Sequence, residues 1–249
     1  MVGNISPIKT SRTPAVLTFV TCCLLSGLTW WGLQEERRLD KLDILKNQAQ
    51  VFSSYISADL SNRIPGLQRI VHRWQARGGT PQLEFEDDAF HYIDDFNGIQ
   101  AITWVDPDFY VRWVVPKLGN EEAINLNLGV EERHRQALED ARNRMTPTMS
   151  KPVQLVQGGK GLQLYIPIFV QDRFDGFLLT VFRTQEWLEH ALRNSRSLHE
   201  FEDYEIAIDI DGELVFETPG FKSTPYAEWE VSQTILYYDH RFRISVVPT

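Results

Sequence analysis

Leu39, Leu42, Leu45, Ala49, Phe52, Ile56, Leu60, Ile64, Leu67, Val71 and Trp74 recur every three or four residues, with Glu, Arg, Lys and Gln between them. This is the spacing of one long amphipathic helix, and Gly78-Gly79 supplies its stop. Pro65-Gly66 predicts a kink, because proline removes a hydrogen bond and crowds the preceding turn. The period lies close to a heptad, which suits pairing between chains as well as packing on the chain's own sheet. From Gly98 the period changes to two. Gly98 to Val105, the turn Asp106-Pro107-Asp108 and Tyr110 to Val115 read as one hairpin. Val153 and Leu155, then Leu162, Leu164, Ile166 and Ile168, alternate on either side of Gln157 to Gly161 and read as a second. Phe174 to Phe182 adds a strand after the turn Gln171 to Arg173, so Gly98 to Phe182 is expected to form one antiparallel sheet with one face buried on the long helix. Short helices are expected at Glu131 to Asn143, with Ala137, Leu138 and Ala141 inward, and at Gln185 to Leu192. Tyr204 to Ile210, Asp211-Gly212 and Glu213 to Phe216 make a third hairpin, and strands at Glu228 to Leu236 and Phe242 to Val247 close the chain.

Residues 14–33 carry no charged side chain, and about 20 residues at roughly 1.5 Å rise span about 30 Å, the thickness of bilayer hydrocarbon. The segment reads as a membrane helix. It ends in Thr29-Trp30-Trp31-Gly32-Leu33 and not in the small residues of a cleavage site, so an uncleaved anchor is expected, with tryptophans at the interface. Lys9 and Arg12 precede it, whereas Glu35-Glu36-Arg37-Arg38 cancels itself on the other side, which places residues 1–13 in the cytoplasm and the rest outside, in a bacterial periplasm or the extracellular space. This makes the chain a protein of the inner, cell membrane. Both cysteines, Cys22 and Cys23, fall inside the span, so the remainder offers no disulfide argument.

The 249 residues are 43% hydrophobic, enough to bury a core beyond the anchor. The chain's 34 acidic side chains outnumber its 25 basic ones, and two of the basic ones, Lys9 and Arg12, precede the anchor. Such a surface excludes nucleic acid as a partner class. Asp88, His91 and Asp95 would share a helix face that could in principle hold a cation, but the reading adopted is a solvated helix face. Gln157-Gly158-Gly159-Lys160-Gly161 joins two strands and lacks a following Ser or Thr, so it is a turn and not a phosphate loop. The histidines at 72, 91, 134, 190, 199 and 240 have no paired ligand spacing, and Asp239-His240 has no nucleophile elbow nearby. No pattern calls for a catalytic residue, a metal or a cofactor.

Ala137 to Arg142, Ser150 to Leu155, Gly161 to Pro167, and Asp175 to Phe182 followed by Trp187-Leu188 resemble, in that order, the CHASE domain. That family forms extracellular sensory modules of membrane-bound histidine kinases and cyclases, plant cytokinin receptors among them. The resemblance implies an α+β fold: an N-terminal transmembrane helix (14–33), a long amphipathic stalk helix (34–79), and two PAS-like antiparallel-sheet units. The membrane-distal unit (80–183) would bind ligand and the membrane-proximal one (184–249) would lead to a second membrane helix. The chain ends at Ser245 to Thr249, where the family enters that helix, so a kinase or cyclase output domain is expected beyond this piece. The chain itself is then not an enzyme. In receptor members an aspartate and a threonine help hold an adenine-type ligand; the matching positions are Asn127 and Ser150. Asn127 lacks the charge and adds a donor, which counts against adenine.

Trp104 and Trp113 stand at comparable distances from their hairpin turn. With Asn127, Ser150, Leu155 and Tyr165 they form the expected ligand site, an apolar wall with a few polar groups; the plainer reading makes the aromatics core. The stalk from Leu39 to Ile64 is expected to pair two chains. Two functions fit: a sensory input domain for a small organic ligand, and a structural dimerisation spacer with none.

Overall fold

The structure, a computed structural model, describes residues 13–155, 158–193, 203–222 and 227–249; the side chains of residues 13–18, 20, 133 and 227 are outside the description. Residues 1–12, assigned to a cytoplasmic tail, and Gln157 of the glycine turn therefore lie outside the described residues. The chain divides into two compact units, Met1–Ile44 and Leu45–Thr249. One helix, α1 (Thr13–Arg77), contributes to both.

In the first unit the described residues are helix, and Phe19, Leu24, Leu25, Leu28, Trp30, Trp31 and Leu33 are all more than half exposed. Among the described residues no helix is long and apolar enough to cross a membrane. The span read at 14–33 begins in side chains outside the description, so it is a helix here, and its role as an anchor belongs with the proposals.

In the second unit the amphipathic stripe is spent within the chain. Leu45, Ala49, Phe52, Ile56, Leu60, Ile64, Leu67, Val71 and Trp74 are each at most 5% exposed and join one core with both sheets. Leu39 remains 55% exposed. The seam expected to pair chains is thus taken from Leu45 onward by the chain's own sheets, since the same side chains cannot face two partners at once. The helix runs through Pro65 without a break. Beside it Gly66 lies so close to Tyr92 that a Cβ would stand 2.6 Å from the ring. It ends two residues earlier than read, at Arg77, where Gly78 and Gly79 take φ of +73° and +133° and the Gly79 N–H returns to Trp74 O.

A second helix, α2 (Gln82–Asp95), leads into the central sheet. Its strands are β1 (Ile99–Val105), β2 (Val111–Val115), β3 (Thr148–Met149), β4 (Val153–Gln154), β5 (Lys160–Val170) and β6 (Arg173–Arg183). They lie in the order β2-β1-β6-β5-β3, with β4 also on β5, all antiparallel, so the two expected hairpins share one sheet. Helix α3 (Glu132–Arg144) precedes β3, and α4 (Thr184–Arg193) follows β6. The closing sheet, β8-β7-β10-β9, is built from β7 (Tyr204–Ile210), β8 (Glu213–Glu217), β9 (Val231–Tyr237) and β10 (His240–Pro248). Asp211-Gly212 forms the expected two-residue turn with both φ positive, and Gln171-Asp172 and Tyr238-Asp239 do the same without glycine.

One expectation for the sheet fails. Leu162, Leu164, Ile166 and Ile168 face α1, but the opposite face is covered too. Val105, Val111, Leu128, Leu138, Val153, Leu155, Tyr165, Phe177, Leu179 and Val181 form a second core under α3 and the loop before it. Polar side chains at alternate positions, Gln163 among them, suggest a solvated face, yet Gln163 is only 8% exposed. Lys160, expected on an exposed turn, opens β5 and donates to Leu214 O across to the second sheet.

Candidate functional site

The far face of the central sheet holds a cavity of about 470 Å³. Thr103 and Ala101 of β1, Val111 and Val114 of β2, Gln163 of β5, and Leu179 and Val181 of β6 make its floor. Leu126 and Leu128 of the loop, Glu131 and His134 at the start of α3, and Val153 to Leu155 make its walls and roof. The volume suits a small organic molecule, and most of the lining is aliphatic.

Several of the polar groups in the lining are bonded to the protein. Gln100 Nε2 donates to Asn120 Oδ1 at 2.7 Å, and its carbonyl oxygen accepts from Arg183. Tyr165, fully buried, donates its hydroxyl to Gln163 Oε1 at 2.5 Å, and burial pushes the phenol pKa up. Two buried atoms of lining residues have no protein partner, Thr103 Oγ1 and His134 Nε2, both closed off from the cavity space. The other ring nitrogen of His134, Nδ1, stands 3.6 Å from Glu131 Oε2. Burial lowers the His134 pKa from 6.5, against the opposing pull of Glu131, so the ring is neutral near pH 7. With the proton on the nitrogen nearer the carboxylate, Nε2 presents a lone pair.

The six residues expected to bind ligand do not line one cavity. Leu155 does. Tyr165 and Ser150 stand beside it and act through Gln163: the Ser150 hydroxyl accepts the Gln163 N–H at 3.1 Å and donates to Lys151 O at 2.7 Å. Asn127 shapes the roof, its Oδ1 accepting the Gly129 N–H at 2.8 Å. Trp104 and Trp113 pair across β1 and β2, ring centroids 4.6 Å apart, but on the face toward α1. There Trp74 stacks against both, at 5.4 and 5.6 Å, and donates its indole N–H to Asp175 at 2.7 Å. The strand pleat places neighbours on opposite faces, so Thr103 faces the cavity because Trp104 faces the helix. Thr103, His134 and Gln163 are the residues the sequence reading missed. The signal for Thr103 and Gln163 was a polar side chain within an otherwise apolar strand; His134, on α3, carried none.

Among the described residues no group of His, Cys, Asp and Glu could hold a metal ion. Asp88 pairs with Arg73 at 2.6 Å, and His91 faces Asp87 at 3.6 Å.

Solved structures share this architecture. The extracellular ligand binding receptor from Desulfohalobium retbaense DSM5692 matches with a TM-score of 0.59 and 16% identity, over 80% of this chain and 39% of that one. The chain thus spans well under half the length of that receptor. The ligand binding domain of the Pseudomonas aeruginosa PAO1 amino acid chemoreceptor PctC, in complex with GABA, matches with a TM-score of 0.57 and 12% identity, over 84% of this chain and 99% of that one. That of the Pseudomonas fluorescens chemoreceptor CtaA, in complex with L-serine, gives 0.58 and 12%, over 85% and 98%. At such identities the likeness concerns the fold alone. Comparison with curated proteins finds no sequence match. The CHASE domain model matches residues 59–216, more than half of the chain, from the middle of α1 to the end of β8. With the sheet order, the covered cavity and this match, the chain belongs to the CHASE domain family.

Proposed function

We propose that the chain is the extracytoplasmic sensory input domain of a membrane-bound receptor and binds a small organic ligand in the cavity between the central sheet and α3. The observation that carries this reading is the cavity itself: a spacer has no use for a hollow of about 470 Å³ left between a second sheet face and the loop and helix that cover it. The similar chemoreceptor domains crystallised with GABA and L-serine agree with a ligand of that size.

The exposed apolar residues between Phe19 and Leu33 support a membrane anchor in the first unit, with Lys9 and Arg12 on the cytoplasmic side. Exposed Leu39 and Ile44 leave the membrane-near part of the helix able to pair with a second copy, whereas Leu45 is not. The output is a histidine kinase or cyclase domain, and the chain as given carries no catalysis of its own.

The test is a thermal-shift screen of the full chain in detergent against a small-molecule metabolite collection, repeated on Val153→Trp, which fills the cavity. At least one compound should raise the melting temperature of the wild type and leave the variant unmoved. Compounds that stabilise both equally would place binding elsewhere, and an absence of any binder would favour the spacer.

A further inference from the structure

Gln163 stands in β5 on the face away from α1, with Tyr165 two residues further along the same face. Its backbone is pinned by Ser150: the Gln163 N–H donates to Ser150 Oγ at 3.1 Å, and its carbonyl accepts the Ser150 N–H at 2.8 Å. The residue is 8% exposed and lines the cavity.

Tyr165 decides which end of the carboxamide faces that cavity. Its hydroxyl is fully buried, burial keeps the phenol protonated, and its hydrogen-bond partner among the described residues is Gln163 Oε1 at 2.5 Å. Turning the amide over would leave the buried O–H without an acceptor. The oxygen is therefore held toward Tyr165. Nε2 has no partner among the described residues and is not sealed in the packing, so it offers its N–H groups to the cavity.

The other polar lining groups answer less to a ligand. Thr103 Oγ1 and His134 Nε2 are closed off. Gln100 and Asn120 are bonded to each other, and further to Arg183 and to Pro116 O. Gln154 and Glu131 are exposed, so water satisfies them whether or not the cavity is filled. Glu131 is the one charged side chain among the described lining residues, and an anion finds no opposite charge there. Val111, Val114, Leu128, Leu179 and Val181 call for apolar surface. A buried donor that meets no acceptor is costly, so a ligand bearing an acceptor is selected over an analogue without one.

We propose that Gln163 sets the selectivity of the cavity, donating from Nε2 to an uncharged, largely apolar ligand that carries a carbonyl or ring-nitrogen acceptor, with Tyr165 as the positioning residue that fixes the amide. This rests on the cavity being the ligand site and names the class of ligand it takes.

The probes are quinoline, a ring-nitrogen acceptor; indole, an N–H donor; and naphthalene, which offers neither. Binding to the full chain is measured by equilibrium dialysis against buffer holding the same detergent. Quinoline should bind the wild type about tenfold more tightly than naphthalene, the worth of one buried hydrogen bond, and indole should not surpass naphthalene. In Tyr165→Phe the amide is free to turn, so indole should gain about tenfold while quinoline keeps its lead over naphthalene. Tyr165→Phe/Gln163→Leu removes both partners of the bond together and should bind all three alike, with melting curves showing that both variants fold. Equal binding of the three probes by the wild type, a preference for indole, or a preference for quinoline that persists in the double variant would overturn the proposal. Failure of all three to bind, where a hit from the metabolite screen still binds, would overturn it while sustaining the ligand site. Binding of any probe that survives Val153→Trp would overturn the site itself.

Discussion

His134 carries two consequences from one cause. Its imidazole is 13% exposed and its Nε2 is buried without a partner. Water solvates the charged ring better than this surrounding does, so the folded pKa lies below 6.5, with Glu131 pulling the other way and Tyr165 and Thr103 contributing no charge. The linkage follows in sign. Above about pH 6.5 the ring is neutral in both folded and unfolded chains and costs nothing. As pH falls through the unfolded value the unfolded chain binds the proton first, and stability drops until the folded pKa is passed. Urea melts at pH 7.5 and 5.5 should therefore show a larger loss on acidification in the wild type than in His134→Gln. Equal losses would place the titrating group elsewhere.

At the scale of elements, α1 and the central sheet show what sequence periodicity can and cannot convey. The stripe from Leu45 to Trp74 needs only a 3.6-residue period and a covering surface, and every expected position is buried. The longer strands, their antiparallel pairing in one sheet and the Asp211-Gly212 turn were equally legible, because alternation and turn chemistry are local, whereas the short strand Thr148–Met149 was not. The side of the sheet on which a residue works is not local. Trp104 and Trp113 were read as pocket walls because they are large and close, but their partner is Trp74, whose sequence position offers no hint of that meeting. Leu155 lies on the alternation opposite the helix-facing leucines and lines the cavity. Thr103 and Gln163 were passed over because polar alternation looks the same under α3 as under water. The tryptophan cluster is thus a structural joint. Trp74→Ala should destabilise the fold by about 3–5 kcal/mol, the range for truncating a buried tryptophan. Trp74→Phe, which keeps a ring but loses the bond to Asp175, should cost less. Denaturant titrations in which the two variants melt alike would show that the hydrogen bond, not the stacking, holds the joint.

Over the whole of the second unit, the two sheets are tied at a few polar points. His240 of β10 reaches Asp211 Oδ2 at 2.6 Å through Nδ1 and Met149 O at 2.9 Å through Nε2, and only a ring carrying both protons donates to both. Arg144 at the end of α3 pairs with Asp239 at 3.0 Å, and Thr184 donates to Val215 O at 3.1 Å. Met149 adjoins Ser150, which is bonded to the cavity residue Gln163, so the His240 bridge begins close to the cavity. His240→Ala should lower stability by about 1–3 kcal/mol, the cost of stranding a partly buried acceptor. It should also reduce the hydrogen-exchange protection that a cavity ligand confers on β7 to β10. Unchanged protection would mean that the sheets communicate by another route. The sharing of α1 between both sheets also bears on how the chain is made. Its apolar stripe is synthesised before its partners, which run from Phe85 of α2 to Val246 of β10. Phe85 and Tyr92 meet the helix early, at Trp74 and Arg63, whereas Phe52 waits for Tyr204 of β7. Topology thus sets the order in which the stripe is covered, from its Trp74 end back toward Phe52.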